Sequence, residues 1–238
     1  MAVKNVTIDD KSFDINYEIL NPKSEKDLII LHGWGSNKDI MKQAFSKTLT
    51  NFRHIYIDMP GFGKSENNHV LTTKNYADII ESFLNVINAK KDVIVGHSFG
   101  GKVATLLEPK LLVLLSNSGI PVPKPLSVKF KISLFKLLKN MGGKNLATLF
   151  ASKDVEGMSQ NMYETFKNVV DEDFTEVFST YKGKALIFWG KDDTATPLFT
   201  GEKIATLIKK SSFYPLEGNH FFFLENSIFI KKVIDENF

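Results

Sequence analysis

Three residue types that can share one proton relay stand far apart in this 238-residue chain: a serine at 98, aspartates at 192 and 193, and a histidine at 220. Ser98 lies in Gly96-His97-Ser98-Phe99-Gly100-Gly101, after the apolar run Val93-Ile94-Val95. Val103, Ala104, Leu106 and Leu107 follow at a spacing that predicts a helix. A G-x-S-x-G turn between strand and helix forces the serine backbone into a strained conformation and holds its hydroxyl out above the sheet edge. Gly96, Gly100 and Gly101 supply room where a Cβ would collide with neighbouring backbone. A serine nucleophile needs a base, and the base needs an orienting acid. Of five histidines, only His220 follows Ser98, in Glu217-Gly218-Asn219-His220-Phe221. In serine sites built on such a turn the acid lies between serine and histidine in the chain. The segment Trp189-Gly190-Lys191-Asp192-Asp193-Thr194-Ala195-Thr196-Pro197 offers two adjacent aspartates. Adjacent side chains diverge, so one of them can face His220, and spacing alone does not choose which.

The elements that must position these residues follow from periodicity. Residues 3–20 alternate apolar and polar around Asp9-Asp10-Lys11, predicting an N-terminal β-hairpin. Leu28-Ile29-Ile30-Leu31 is an unbroken apolar run, as expected of a strand buried on both faces. A helix is expected over about residues 38–50, a strand at 54–58, a helix over 74–88 and a strand at 111–115. Strand character returns at 185–189 and near Phe213-Tyr214, and a final helix is expected over about 224–235. Strands alternating with helices predict an α/β fold with a mostly parallel sheet covered on both faces. Residues 119–182 break that rhythm. They open with Pro121, Pro123 and Pro125 and continue as helical segments of no fixed repeat, a helical lid inserted between two late strands.

With these motifs placed, the chain resembles the α/β-hydrolase superfamily. His32-Gly33-Trp34-Gly35 is similar to its oxyanion loop, Asp58-Met59-Pro60-Gly61-Phe62-Gly63-Lys64-Ser65 to its D-x-P-G-x-G-x-S turn, and Gly96–Gly100 to its nucleophile elbow. Gly190-x-x-Asp193-x-x-x-Pro197 resembles its acid loop, which points to Asp193 rather than Asp192. Asn219-His220 departs from the family's Gly-His pair in having Asn. The resemblance covers residues 1–118 and 183–238 as the core and leaves 119–182 as the lid. It implies a catalytic triad of Ser98, Asp193 and His220, with oxyanion-hole N–H groups from Trp34 and Phe99. Ester or thioester hydrolysis through an acyl-serine is the implied reaction. C–C bond hydrolysis of meta-cleavage ring-fission products is a second branch of the same framework. Its members resemble one another in a lid arginine and often a tryptophan after the histidine. Here Arg53 is the only arginine and Phe221 follows His220. A ligand-binding protein without catalysis is the reading from another class, and the complete set of three residues opposes it.

Composition limits the partners. The absence of cysteine excludes disulfides, thiolate catalysis and Cys-ligated metal. Gly61-Phe62-Gly63-Lys64-Ser65 imitates the end of a phosphate-binding loop, but such a loop needs glycine at position 58, which is Asp58. No cofactor or metal is therefore expected. A net charge of +3 does not argue for nucleic acid. With no signal core and no apolar run near 18 residues, no transmembrane segment is expected and a cytoplasmic location is. The expected substrate is a small apolar ester. Between Pro121 and Lys153 there are seven lysines and no acidic residue, and Lys129, Lys136 and Lys139 share one sector if 127–140 is helical. That stretch is a solvated face or a docking surface for an acidic partner, such as an acyl carrier protein or an anionic membrane surface. The oxyanion loop is also similar to that of the carrier-protein methyl ester esterases.

Overall fold

The computed structural model describes residues 2–122 and 158–238. Eight strands form one sheet in the order β1-β2-β4-β3-β5-β6-β7-β8. The strands are β1 (Ala2–Ile8), β2 (Lys11–Leu20), β3 (Lys26–Leu31), β4 (Phe52–Ile57), β5 (Val93–His97), β6 (Leu111–Leu115), β7 (Lys184–Gly190) and β8 (Ser211–Leu216). β1 and β2 make the expected hairpin, and β2 joins β4 antiparallel. All pairings from β4 through β8 are parallel. The helices described are α1 (Lys38–Phe45), α2 (Thr73–Val86), α3 (Phe99–Leu106), α4 (Gln160–Val169), α5 (Thr175–Thr180), α6 (Leu198–Leu207) and α7 (Phe223–Asn237).

The unbroken apolar runs have the cause their pattern suggests. Successive side chains of a strand point to opposite faces, and here both faces are covered. Ile29, Leu31, Ile94 and Ile187 join a cluster with Tyr76, Phe83 and Val103 of α2 and α3 and Ile204 of α6. Leu28, Ile30, Val95 and Phe188 face the opposite way, toward Met41 and Phe45 of α1 and Phe223, Ile230 and Ile234 of α7.

The helix expected over about 38–50 ends at Phe45. Thr48 Oγ1 donates to the Phe45 carbonyl, and Leu49 turns left-handed (φ 50°) to deliver the chain into β4. The last helix runs longer than expected, to Asn237. Between β6 and β7, the described residues include the helices α4 and α5. Most of that segment, with Lys124, Lys129, Lys131, Lys136, Lys139, Lys144 and Lys153 of its basic stretch, lies outside the described residues. Among the described residues, no helix is long and apolar enough to cross a membrane.

One consequence of the strand order matters for function. From β3 the chain steps to β4 on one side and then to β5 on the other, so the order in which strands are added reverses between β3 and β5, which themselves run parallel. The crevice outside the carboxyl ends of strands at such a reversal is where open α/β sheets bind ligands. Residues 32–35 follow β3, Ser98 follows β5, Asp193 follows β7 and His220 follows β8.

Candidate active site

Ser98 occupies the junction of β5 and α3 with φ 50° and ψ −115°. A non-glycine residue there costs on the order of 1–3 kcal/mol, and surrounding bonds must enforce it. They do: the Ser98 N–H donates to the Leu115 carbonyl at 3.0 Å, and its own carbonyl accepts from Gly101 at 3.1 Å and Ser118 at 3.3 Å. Gly96 is required by close approach, since a Cβ there would lie 2.5 Å from the Gly100 carbonyl oxygen.

His220 and Asp193 meet after β8 and β7. His220 Nδ1 donates to Asp193 Oδ2 at 2.8 Å, with the aspartate side chain fully buried and the histidine 18% exposed. The Asp193 carboxylate is saturated: Oδ1 accepts from the N–H groups of Ala195 (2.8 Å) and Thr196 (2.9 Å), and Oδ2 also accepts from Thr196 Oγ1 at 2.8 Å. Burial acts to raise its pKa, but these bonds, the His220 charge and the Ser116 hydroxyl outweigh it and hold the group down at about 2. Asp192, beside it in sequence, is exposed.

His97 and His32, which sequence reasoning did not single out as side chains, tie these loops together. His97 Nε2 donates to the His220 backbone carbonyl at 3.0 Å, and the two rings lie 4.6 Å apart. Full burial, with the neighbouring His220 adding to it, pushes the His97 pKa down to about 3. His32 Nδ1 donates to the Gly33 carbonyl at 2.8 Å, and its Nε2 accepts from the Met59 N–H at 3.1 Å. Burial lowers the His32 pKa to about 4. Both rings are neutral struts. Asp58 adds a second tie, with Oδ1 accepting from the Lys38 N–H at 2.8 Å and Oδ2 meeting Lys38 Nζ at 2.6 Å.

The loop carrying Trp34 is thereby pressed onto the serine turn. A Cβ on Gly33 would lie 2.9 Å from His97 Nδ1 and 3.2 Å from Ser98 Cβ. The Trp34 indole packs edge-on to Phe62 and Phe99. Phe99 opens α3, so its N–H has no acceptor within the helix and points out of the positive end of the helix dipole. Among the described residues, no cluster of three His, Asp or Glu side chains could hold a metal ion.

Thr196 was the least visible participant in the sequence. The only signal was its place three residues after Asp193, where a short hydroxyl-bearing side chain can fold back on a turn.

Residues 27–109, which include β3, the Trp34 loop and the serine turn, match a family model described as alpha/beta hydrolase fold. A thermophilic esterase from Thermogutta terrifontis superposes with a TM-score of 0.73 at 18% identity, over 99% of this chain and 97% of that one. This chain is an α/β-hydrolase-fold protein. Among curated sequences, the pimeloyl-[acyl-carrier protein] methyl ester esterase of Proteus mirabilis is 37% identical over 78 residues. That match takes in 33% of this chain and spans 29% of the esterase's length. An uncharacterized hydrolase of Bacillus subtilis, YugF, is 23% identical over 90% of this chain and 89% of its own. The α/β-hydrolase fold was legible from its motifs alone, and these likenesses bear it out.

Proposed function

We propose that this protein is a serine hydrolase that cleaves carboxylic esters through an acyl-serine intermediate. The observation carrying the proposal is the Asp193–His220 pair, held at the same sheet edge as a left-handed Ser98. His220 Nδ1 is committed to Asp193, which leaves Nε2 as the nitrogen able to take a proton. Nε2 accepts the Ser98 proton as Oγ attacks the ester carbonyl carbon. The resulting oxyanion is met by the N–H groups of Phe99 and Trp34, worth about 3–4 kcal/mol per donor in sites of this kind. Protonated His220, stabilised by the ionised Asp193, then returns the proton to the leaving alkoxide. Water enters, loses a proton to His220, and attacks the acyl-serine, releasing the acid and restoring Ser98.

The curated likeness favours one narrower reading, an ester carried on an acyl carrier protein. Hydrolysis of such a substrate would slow with salt, and Lys129→Glu, Lys136→Glu and Lys139→Glu together would weaken it while sparing small esters. The central claim is tested with a fluorophosphonate probe and p-nitrophenyl acetate. Labelling at Ser98 and turnover of the ester are expected in the native chain, and Ser98→Ala loses both while unfolding at the same temperature. Esterase activity persisting in the folded Ser98→Ala protein would end the proposal.

A further inference from the structure

Lys38 is the first residue of α1 and closes the loop that carries Trp34. In the sequence it belongs to no motif and marks only the start of an expected helix. In the fold its side chain and that of Asp58 are each 1% exposed, with Nζ 2.6 Å from Oδ2. A lysine is an unfavourable choice at this point on two counts. The amino end of a helix is the positive end of its dipole, and taking an ammonium out of water is costly even when it is paired. Replacing a buried ion pair by apolar side chains of like volume is often neutral or stabilising. Stability alone therefore does not account for Lys38.

Geometry does. The two oxygens of one carboxylate hold the main chain and the side chain of the same residue, Oδ1 accepting from the Lys38 N–H at 2.8 Å while Oδ2 meets Nζ. Such a two-point grip fixes the direction of the chain as well as its place. The carboxylate is itself held, since Oδ2 also accepts from the Lys64 N–H at 3.0 Å and a Cβ on Gly63 would lie 2.3 Å from Asp58 Cγ. The other end of the loop is tied to the next residue along, where the Met59 N–H donates to His32 Nε2 at 3.1 Å. Residues 33–37 are thus a short span stapled at both ends to Asp58 and Met59. Within it Gly35 is left-handed (φ 69°), and a Cβ there would have nothing within 4 Å, so no packing holds the span at that point. What aims the Trp34 N–H is the ring of Trp34 against Phe62 and Phe99, together with the two ends of the span. Given the serine-hydrolase reading, on which this inference rests, that N–H is one of the two that meet the oxyanion. We propose that Lys38, which touches no substrate, is the positioning residue of the oxyanion loop and acts through Asp58.

The test exchanges the atom that the loop serves. In p-nitrophenyl thionoacetate a C=S group replaces the C=O of p-nitrophenyl acetate, and sulfur accepts hydrogen bonds weakly. An enzyme that uses its oxyanion donors therefore favours the oxygen ester, and any loss of folded enzyme lowers both rates alike and cancels from their ratio. The native chain is expected to favour oxygen at least about 10²-fold, the lower end of what one donor contributes. Since misplacement by about 1 Å can cost about 10²-fold, Lys38→Met should lower kcat on p-nitrophenyl acetate by that order with KM little changed. The same variant should shrink the oxygen-to-sulfur ratio of kcat/KM at least about tenfold. Lys38→Met with Asp58→Asn, which leaves no unpaired charge buried, should shrink it in the same way. A folded single or double variant with the native ratio would overturn the inference. So would a native chain indifferent to the exchange, a measurement that needs no variant. Either result in a protein that fluorophosphonate still labels removes only this inference. A native protein that neither labels nor turns over any ester removes the serine-hydrolase reading itself.

Discussion

At the scale of single residues, the acid beside His220 is set apart from its neighbour by burial and by bonding, and the two can be separated experimentally. Asp193→Asn replaces an acceptor of four hydrogen bonds by an amide that disfavours the Nδ1–H tautomer of His220. Loss of kcat on the order of 10⁴ is expected from the corresponding change in other serine triads. Asp192→Asn, at an exposed position, should stay within about twofold of the native rate, because surface substitutions away from partners change energies by about 0.5 kcal/mol or less. Thr196→Val removes the hydroxyl that meets Asp193 Oδ2 and the Ser116 carbonyl. A hydrogen bond to a charged group contributes about 1.5–3 kcal/mol, so a fall of at least about tenfold in kcat/KM is expected. Steady-state kinetics on one p-nitrophenyl ester compares all three. Equal losses for Asp192→Asn and Asp193→Asn would show that the wrong carboxylate has been given the role.

At the scale of elements, the central strands β3 to β7 were legible because they are buried on both faces, and continuous runs such as Leu28–Leu31 have no other economical reading. The places of Ser98 and the Asp192-Asp193 pair after β5 and β7 were legible for the same reason, whereas His220 stood out as the only histidine after Ser98. The end of α1 was not, because it depends on Thr48 folding onto a carbonyl and on a left-handed Leu49, choices that periodicity does not encode. Nor were the struts between loops legible. His32 meets Met59 and Lys102 meets Val169 across 27 and 67 positions, and nothing local to either residue announces its partner. The loop after β3 shows what such ties accomplish. Gly33→Ala would put a methyl 2.9 Å from the His97 ring and 3.2 Å from Ser98 Cβ, so the loop must withdraw. Overpacking of this kind costs about 1–3 kcal/mol of stability. Losing one oxyanion donor costs about 10²–10³ in kcat. A drop of that size in kcat with KM little changed is expected, and a Gly33→Ala enzyme at native rates would mean that the Trp34 amide is not used.

At the scale of the whole molecule, the buried histidines that brace the sheet edge make stability depend on pH. His32 and His97 are neutral in the folded chain, with pKa values lowered to about 4 and about 3, whereas each returns to its ordinary value of 6.5 on unfolding. Below that value the unfolded chain binds protons that the folded chain refuses, so stability falls as pH drops. The loss begins near pH 6.5 and continues until each folded-state pKa is reached. Per pH unit the two rings together remove about 2.7 kcal/mol, from about 1.4 kcal/mol for each proton. Asp193 acts outside this window. Its folded pKa is depressed to about 2, so its contribution is full above the unfolded value near 3.8 and is lost only as pH falls toward 2. Urea unfolding between pH 7 and pH 5 isolates the histidines. The native chain should lose stability steeply over that interval, and His97→Gln, which keeps an N–H able to reach the His220 carbonyl, should lose it with a slope shallower by one proton. His97→Gln will be less stable than the native chain at pH 7 if packing suffers, but the slope is independent of that offset. A slope unchanged by the substitution would mean that His97 takes up its proton in the folded state, and the neutral-strut description of this sheet edge would fail.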